Sequence, residues 1–487
     1  MIGTETLSTR RNAALVWSAL LAVGAVFLGR QIVVGGPMLR VTVAIVVMVV
    51  LAIPALERPR SAVLGLFILL PLMGTLRHMF VSATGAAALD PLLLVTSSVA
   101  VTVFVSLMLK REMDFTGTTL AKIVFLLLVV GLIQVFNPGQ GNLLVGLTGV
   151  MINLIPISFF FVARSIADLE FTHKVVRIVL VMGTLAAAYG LVQVFVGFRG
   201  FEKTWLGSQG YTAATVGSTT RPFSFFNNSA EYAAYAHYAF VVALAMLMFA
   251  PKARRLLLAA VVGVIAYAGF LTGSRGFTVK IALAVVVLIA ARVRNRVLAT
   301  GVAMILVTLA VGWSATTSSD STIQEKESGA AQLIEQQLRA LRDPFDRSKS
   351  TLPIHFESGT AGISYAISHQ PIGLGTGSAT RGAAKFGGRS AGTELDIGDA
   401  FLSLGIPGGI LYVLAIVVAV VQASRVRRAL PGPVWIAIWA MAVTSIGAWL
   451  IGGQYAITPL IWFLIGASDG AYKRLRDRGL MDGTLPA

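Results

Sequence analysis

The chain has 487 residues, of which 56% are hydrophobic and 13% charged, with a mean hydropathy of +0.80; a water-soluble domain of this length does not carry such a composition. A net charge of +17 points to nucleic acid in a soluble protein, so the position of the cations along the chain decides what they mean here. The lack of cysteine excludes disulfides and thiolate metal sites, and His78, His173, His237, His355 and His369 form no metal-ligand pair, so no metal and no cofactor is expected.

A membrane crossing takes about 20 apolar residues. Fourteen spans are predicted: 13–29, 38–56, 62–80, 88–109, 119–136, 143–163, 175–198, 229–250, 256–272, 277–292, 297–313, 397–423, 433–450 and 454–471. Arg10 and Arg11 precede the first, which is read as an uncleaved span because the apolar run is long and lacks a small-x-small exit. Residues 137–142, Asn-Pro-Gly-Gln-Gly-Asn, either connect two spans or introduce a re-entrant turn. The expected fold is all-α: a polytopic membrane protein with about 12–14 transmembrane helices and one large outer loop containing short helices.

The cations set the phase. A majority of the 39 Lys and Arg fall in short connectors on one side, among them Arg58 and Arg60, Lys110 and Arg111, Lys252 to Arg255, Arg425 to Arg428, and Lys473 to Arg478. By the positive-inside rule that side is cytoplasmic, and so are both termini. Orientation in a lipid bilayer accounts for the charge, and no nucleic-acid partner is expected.

Two segments on the other side are long. Arg199 to Ser229 is a polar loop ending in Arg221-Pro222-Phe223-Ser224-Phe225-Phe226-Asn227-Asn228. Ser314 to Glu394, about eighty residues, exceeds the usual connector and is expected to be functional or separately folded. Within it, Ile323 to Leu341 has amphipathic helical spacing suited to a membrane surface. Glu357 to Ser368 reads as a second short helix, and Pro371-Ile372-Gly373-Leu374-Gly375-Thr376-Gly377 as a tight turn.

Candidate chemistry gathers at the outer ends of the spans. Arg275 stands in Thr272-Gly273-Ser274-Arg275-Gly276, a polar break between two apolar runs. An arginine at the centre of a membrane helix costs about 2.5–3.5 kcal/mol, so one near the edge is expected to serve a partner or a wet cavity. Arg221 precedes the span at 229–250 and Arg275 follows the span at 256–272, so one helical hairpin returns both guanidiniums to the outer face. Planar forks suit phosphate oxygens; the plainer alternative is that each arginine snorkels to the headgroups. Glu394, Asp396 and Asp399 crowd the entrance of the span at 397–423. They either offset the helix dipole or include a general base within reach of a hydroxyl. Asn227, Asn228 and Glu231 either orient polar groups of a substrate at the mouth of the same cavity or cap a helix.

At these residues the chain resembles the O-antigen ligase and O-antigen polymerase superfamily, bacterial membrane glycosyltransferases that use glycans linked to undecaprenyl diphosphate. The similarity lies in Arg221-Pro-Phe-Ser-Phe-Phe-Asn-Asn ahead of a span, the Thr272-Gly-Ser-Arg-Gly turn, His369-Gln-Pro-Ile-Gly-Leu-Gly at the end of the loop, and Leu404-Gly-Ile-Pro-Gly. It covers about residues 220 to 415. It implies that Arg221 and Arg275 hold the lipid-linked diphosphate while an acceptor hydroxyl attacks the anomeric carbon, with inversion and without a metal ion. Ser274, Asn227, Asn228, Glu231, Asp396 and Asp399 are the accompanying candidates for substrate binding. Ligases of this family carry a histidine eleven residues before the glycine of the Leu-Gly-Ile-Pro turn; here that position is Glu394, a candidate base. The departure favours a polymerase, or a ligase acting on an acceptor other than lipid A.

The resemblance divides the chain into N-terminal membrane helices (1–220), a ligase-like catalytic region (221–415) that includes the periplasmic loop 314–396, and C-terminal membrane helices (416–487). The implied location is the bacterial inner membrane, and the implied partners are an undecaprenyl-diphosphate-linked glycan donor and a glycan or other hydroxyl acceptor. The alternatives are a transporter or flippase of a lipid-linked glycan, and a peptidoglycan polymerase of the shape-and-division class. No internal repeat of the kind many transporters carry is visible.

Overall fold

In a computed structural model, residues 37–85, 90–209, 215–216, 219–292, 329–342, 352–389, 391–393, 395–450 and 456–480 are described. The predicted spans 13–29 and 297–313 lie outside them. The other twelve each coincide with a helix, and the protein is an all-α polytopic membrane protein. By length and composition, eight of the described helical segments can cross a membrane.

In chain order the helices are α1 (Pro37–Glu57), α2 (Pro59–Thr84), α3 (Leu93–Leu109), α4 (Thr119–Ile133), α5 (Leu143–Gly149) and α6 (Ile155–Ile166). They continue with α7 (Leu169–Phe195), α8 (Gly200–Gln209), α9 (Ser229–Phe249), α10 (Lys252–Phe270) and α11 (Arg275–Arg292). The last six are α12 (Gly329–Arg342), α13 (Leu352–His369), α14 (Arg381–Lys385), α15 (Asp396–Ala429), α16 (Pro433–Thr444) and α17 (Thr458–Asp477). A two-residue ribbon, β1 (Thr215–Val216) and β2 (Thr219–Thr220), pairs antiparallel.

Local chemistry sets the helix starts. Thr118, Asn142, Asp168 and Asn228 each turn a side-chain oxygen onto a first-turn N–H, and α2 and α16 begin on proline, whose missing N–H costs nothing there. The lipid-facing side remains apolar, as Leu132, Leu144, Leu257 and Val417 show by their exposure. The interior is apolar too, with Phe159, Phe160, Tyr232, Tyr412, Trp449 and Trp462 fully buried. Since lipid is as apolar as this core, association depends on close packing. A Cβ on Gly466 of α17 would run into the Phe160 carbonyl of α6.

The connectors sort to two ends. At one end Arg164 binds Asp114 at 3.1 Å and Asp469 at closer range, and Thr118 donates to Asp469 at 2.8 Å. Lys473 meets Asp114 at 2.8 Å, and Arg60 meets Asp168 at 2.8 Å. These residues come from the connectors that share the cation-rich phase in the sequence. The 26 residues of α2, at about 1.5 Å each, carry the chain from Arg60 to the opposite end, where Arg77 binds Asp90 at 2.6 Å.

Three sequence expectations change in detail. The polar stretch 199–229 contains a helix, α8, seated by buried Trp205 and by Glu202, which accepts from Tyr189 and Gln193. The span predicted at 397–423 is two pieces, because Gly405 has φ +72 and breaks α15 between Leu404 and Ile406. The glycine-rich turn 371–377 is no exposed bend: it docks against that break, Leu374 N donating to Leu402 O at 2.8 Å and Ile406 N to Pro371 O at 2.9 Å. A side chain on Gly405 would collide with the Ile372 backbone, so the positive φ and the close approach both require glycine. On the other flank of this turn, Asn137 donates to Gly373 O at 2.9 Å. Asn153, in a π-helical turn joining α5 to α6, donates to Thr376 O at 3.1 Å.

Candidate functional site

The site builds outward from the turn between α10 and α11. Thr272 folds its hydroxyl back onto Gly269 O at 2.6 Å and accepts from Ser274 N at 3.2 Å. Gly273 takes φ +67, and the chain reverses into α11 with Arg275 as its first residue. Phe277 fills the notch left by Gly269, fixing the angle between the two helices.

Arg221 reaches this turn from a distant part of the sequence, its Nε donating to Thr272 O at 2.6 Å. The segment carrying Arg221 is itself anchored. Ser224, with φ +51, donates its hydroxyl to Ala186 O at 2.7 Å. Gln193 of α7 accepts from Phe223 N at 3.0 Å and Ser224 N at 2.7 Å. The structure thus brings Arg221 and the Arg275 turn together.

Arg275 differs from the other deep arginines. Arg164 is fully satisfied by carboxylates, a hydroxyl and carbonyls, whereas Arg275 Nη1 is buried without a partner among the described residues. One turn along α11, Thr278 Oγ1 is buried and unpartnered as well. A buried donor left unmade costs about 1–3 kcal/mol, so such an atom in a native fold calls for a ligand, a water or an ion. Ser274 stands beside them, partly exposed.

Asn228 follows the capping alternative, and Asn227 and Glu231 are taken up by other protein partners. Asn228 caps α9 through Glu231 N at 2.9 Å. Glu231 accepts from Asn227 Nδ2 at 2.8 Å with one oxygen and from Ala456 N at 3.1 Å with the other. Arg77 closes the bracket by donating to Asn227 Oδ1 while bound to Asp90. Glu231 is buried with a protein donor on each carboxylate oxygen.

The three predicted carboxylates divide. Glu394 lies outside the described residues. Asp399 accepts from Thr393 N at 2.6 Å and from its hydroxyl at 2.9 Å, which fixes the loop where it enters α15. Asp396 is fully buried: Oδ2 accepts from Leu450 N at 2.6 Å and Tyr412 OH at 3.0 Å, and Oδ1 has no partner among the described residues. No model of a known protein family matches the chain, and a search of curated proteins finds no match either. The geometry therefore stands on its own. Asp396 is within electrostatic reach of Lys280 on α11, which is in turn within reach of His237 on α9. His237 Nε2 is paired with Thr444 at 2.8 Å.

Sequence reasoning missed Arg77, Gln193, Thr278 and Lys280. Arg77, Gln193 and Lys280 each interrupt an otherwise apolar predicted span, and that interruption was the available signal. Thr278 carries no such mark.

Proposed function

We propose that this protein is a metal-independent, inverting membrane glycosyltransferase that polymerises or ligates undecaprenyl-diphosphate-linked oligosaccharide at the periplasmic face of a bacterial inner membrane. Its place is cell-envelope polysaccharide biosynthesis, with both termini in the cytoplasm. The observation that carries the reading is the Arg221–Thr272 hydrogen bond on the turn that launches Arg275, whose own Nη1 is buried and has no partner among the described residues. A pyrophosphate offers the acceptor oxygens that such a group lacks, and a fork meets two of them at once.

In the reaction, the acceptor hydroxyl oxygen bonds to the anomeric carbon as the bond from that carbon to the diphosphate oxygen breaks. The hydroxyl proton passes to a carboxylate, with Glu394 the candidate base. The electron pair of the broken bond leaves with undecaprenyl diphosphate, and preplaced guanidiniums stabilise the charge that grows there. Asp399 positions the segment through Thr393.

A transporter of a lipid-linked glycan is the second reading, favoured by the buried Asp396 and the half-buried Lys280 of α11, since ionisable groups at membrane depth often mark a translocation path. Purified protein incubated with undecaprenyl-diphosphate glycan and a saccharide acceptor separates the two. Release of free carrier with a lengthened glycan supports the transferase; intact donor throughout, with donor crossing the bilayer of a proteoliposome, supports the transporter.

A further inference from the structure

Beside the segment that enters α15 is an open cavity of about 440 Å³, lined by Ala361, Gly362 and Tyr365 of α13, Leu374, Arg389, Ala391, Gly392 and Leu402. Its size falls within the range of about 300–1,000 Å³ typical of small-molecule sites. Leu374 and Leu402 are buried and form an apolar floor. Glycine and alanine on the walls leave backbone groups within reach of a ligand. Tyr365 is 43% exposed, large for an aromatic ring, and is backed by His369, whose ring stacks on it at 4.9 Å and 13°. His369 also bonds Ser368 at 2.7 Å, so the platform behind Tyr365 is held in place. Arg389 is exposed on the cavity lining, and no partner for its guanidinium is found among the described residues.

An aromatic plate with a cation beside it and an apolar floor below matches a pyranose ring. Its C–H face packs on the electron-rich ring, and its hydroxyls or a carboxylate meet the guanidinium fork. We infer that this cavity is a sugar-binding subsite that seats a ring of the acceptor glycan on Tyr365, with Arg389 reading its polar edge.

The assignment to the acceptor rests on the proposed transferase reading. Gly392 in the cavity wall is followed by Thr393, which Asp399 clamps, and Leu402 is on the same helical piece as Asp396 and Asp399. The cavity therefore adjoins the carboxylate-bearing segment, where an acceptor hydroxyl would give up its proton, and belongs to different elements from the Arg221–Arg275 turn.

The test has two arms, both on the full chain in nanodiscs. In the first, methyl glucoside, methyl N-acetylglucosaminide and methyl glucuronide are screened by saturation-transfer NMR. At least one should bind the wild type, bind Tyr365→Ala about tenfold more weakly, and bind Tyr365→Phe like the wild type. No binding by any of the three, or equal binding to Tyr365→Ala, overturns the subsite. In the second arm, Tyr365→Ala should raise KM for the acceptor with KM for the lipid-linked donor unmoved; a rise confined to the donor overturns the acceptor assignment. A wild type that releases no carrier defeats the transferase reading, while the first arm still decides whether the cavity binds sugar.

Discussion

Arg221 Nε donates to the carbonyl of Thr272 at 2.6 Å, three residues before Arg275 opens the next helix. One arginine thereby holds the turn that aims the other. A deletion at either position should abolish glycan assembly, but the two should differ in stability.

Arg275→Ala removes a desolvated donor that has no partner among the described residues, and removing an unmade hydrogen-bond group is neutral or stabilising. The variant should therefore melt at or above the wild-type temperature while losing turnover. Arg221→Ala removes a bond that is made, so it should lose stability on the order of 1 kcal/mol and melt at a lower temperature. Arg275→Lys should stay severely impaired, because a point charge does not replace a fork. A differential-scanning melt beside a carrier-release assay reads both quantities; equal destabilisation by both alanines would contradict the distinction.

Among the carboxylates, Glu394→Gln should lose turnover without a change in melting temperature if it is the base. Asp399→Ala should cost about 1–3 kcal/mol, because it leaves Thr393 N without its acceptor. Activity that survives Glu394→Gln and disappears only in Asp399→Asn would move the base to Asp399. Treatment with EDTA should leave turnover unchanged, and inhibition reversed by a divalent ion would contradict a metal-free reaction.

The opposite end of the bundle predicts a pH response. Burial raises the affinity of Asp114 for a proton, but the Lys473 hydrogen bond and the attraction of Arg164 outweigh it and hold the carboxyl below its ordinary value. Asp168 is also lowered, first by the hydrogen bond from Phe171 N and then by Arg60. A carboxyl lowered on folding stabilises the fold above its unfolded pKa of about 4, and that contribution is lost as pH falls through the lower folded value. The melting temperature should fall below about pH 4, and Asp114→Asn should flatten that fall. Asp469→Ala should be more damaging than Asp114→Asn, since it removes one of two carboxylates from the buried Arg164 and leaves Asp114, which Lys473 shares, to balance that charge alone.

Gly405→Ala should disturb the α15 break and the docked turn at 371–377 together. It places a side chain at φ +72 and against the Ile372 backbone, a strain of the order of 1–3 kcal/mol before the collision is counted. Limited proteolysis within 371–377 should accelerate in this variant and stay at the wild-type rate in Gly263→Ala, where a methyl meets nothing.

Apolar run length was enough to read the helices among the described residues from the sequence, because that signal is local. Arg275 was legible for the same reason: a lone cation between glycines breaks an apolar run. The bond from Arg221 to Thr272 spans fifty-one residues, and only the hairpin geometry hinted at it. The bracket of Arg77, Asn227 and Glu231 was not legible, since Arg77 joins it from a helix 150 positions away. The capping alternative for Asn228 was visible in the sequence, but whether Asn227 and Glu231 faced substrate or protein depended on the backbone at Ala456, which no motif announces. The run Gly405-Ile406-Pro407-Gly408-Gly409 marked where a break could fall, but hydropathy does not register a change in φ and carried the predicted span straight through it.

The most direct test is carrier release from undecaprenyl-diphosphate glycan by purified wild type and Arg275→Ala in the same nanodiscs. The account predicts free undecaprenyl diphosphate and a lengthened glycan from the wild type and neither from the variant, with both proteins folded to the same melting temperature or the variant slightly higher. Equal carrier release from the two proteins would contradict it.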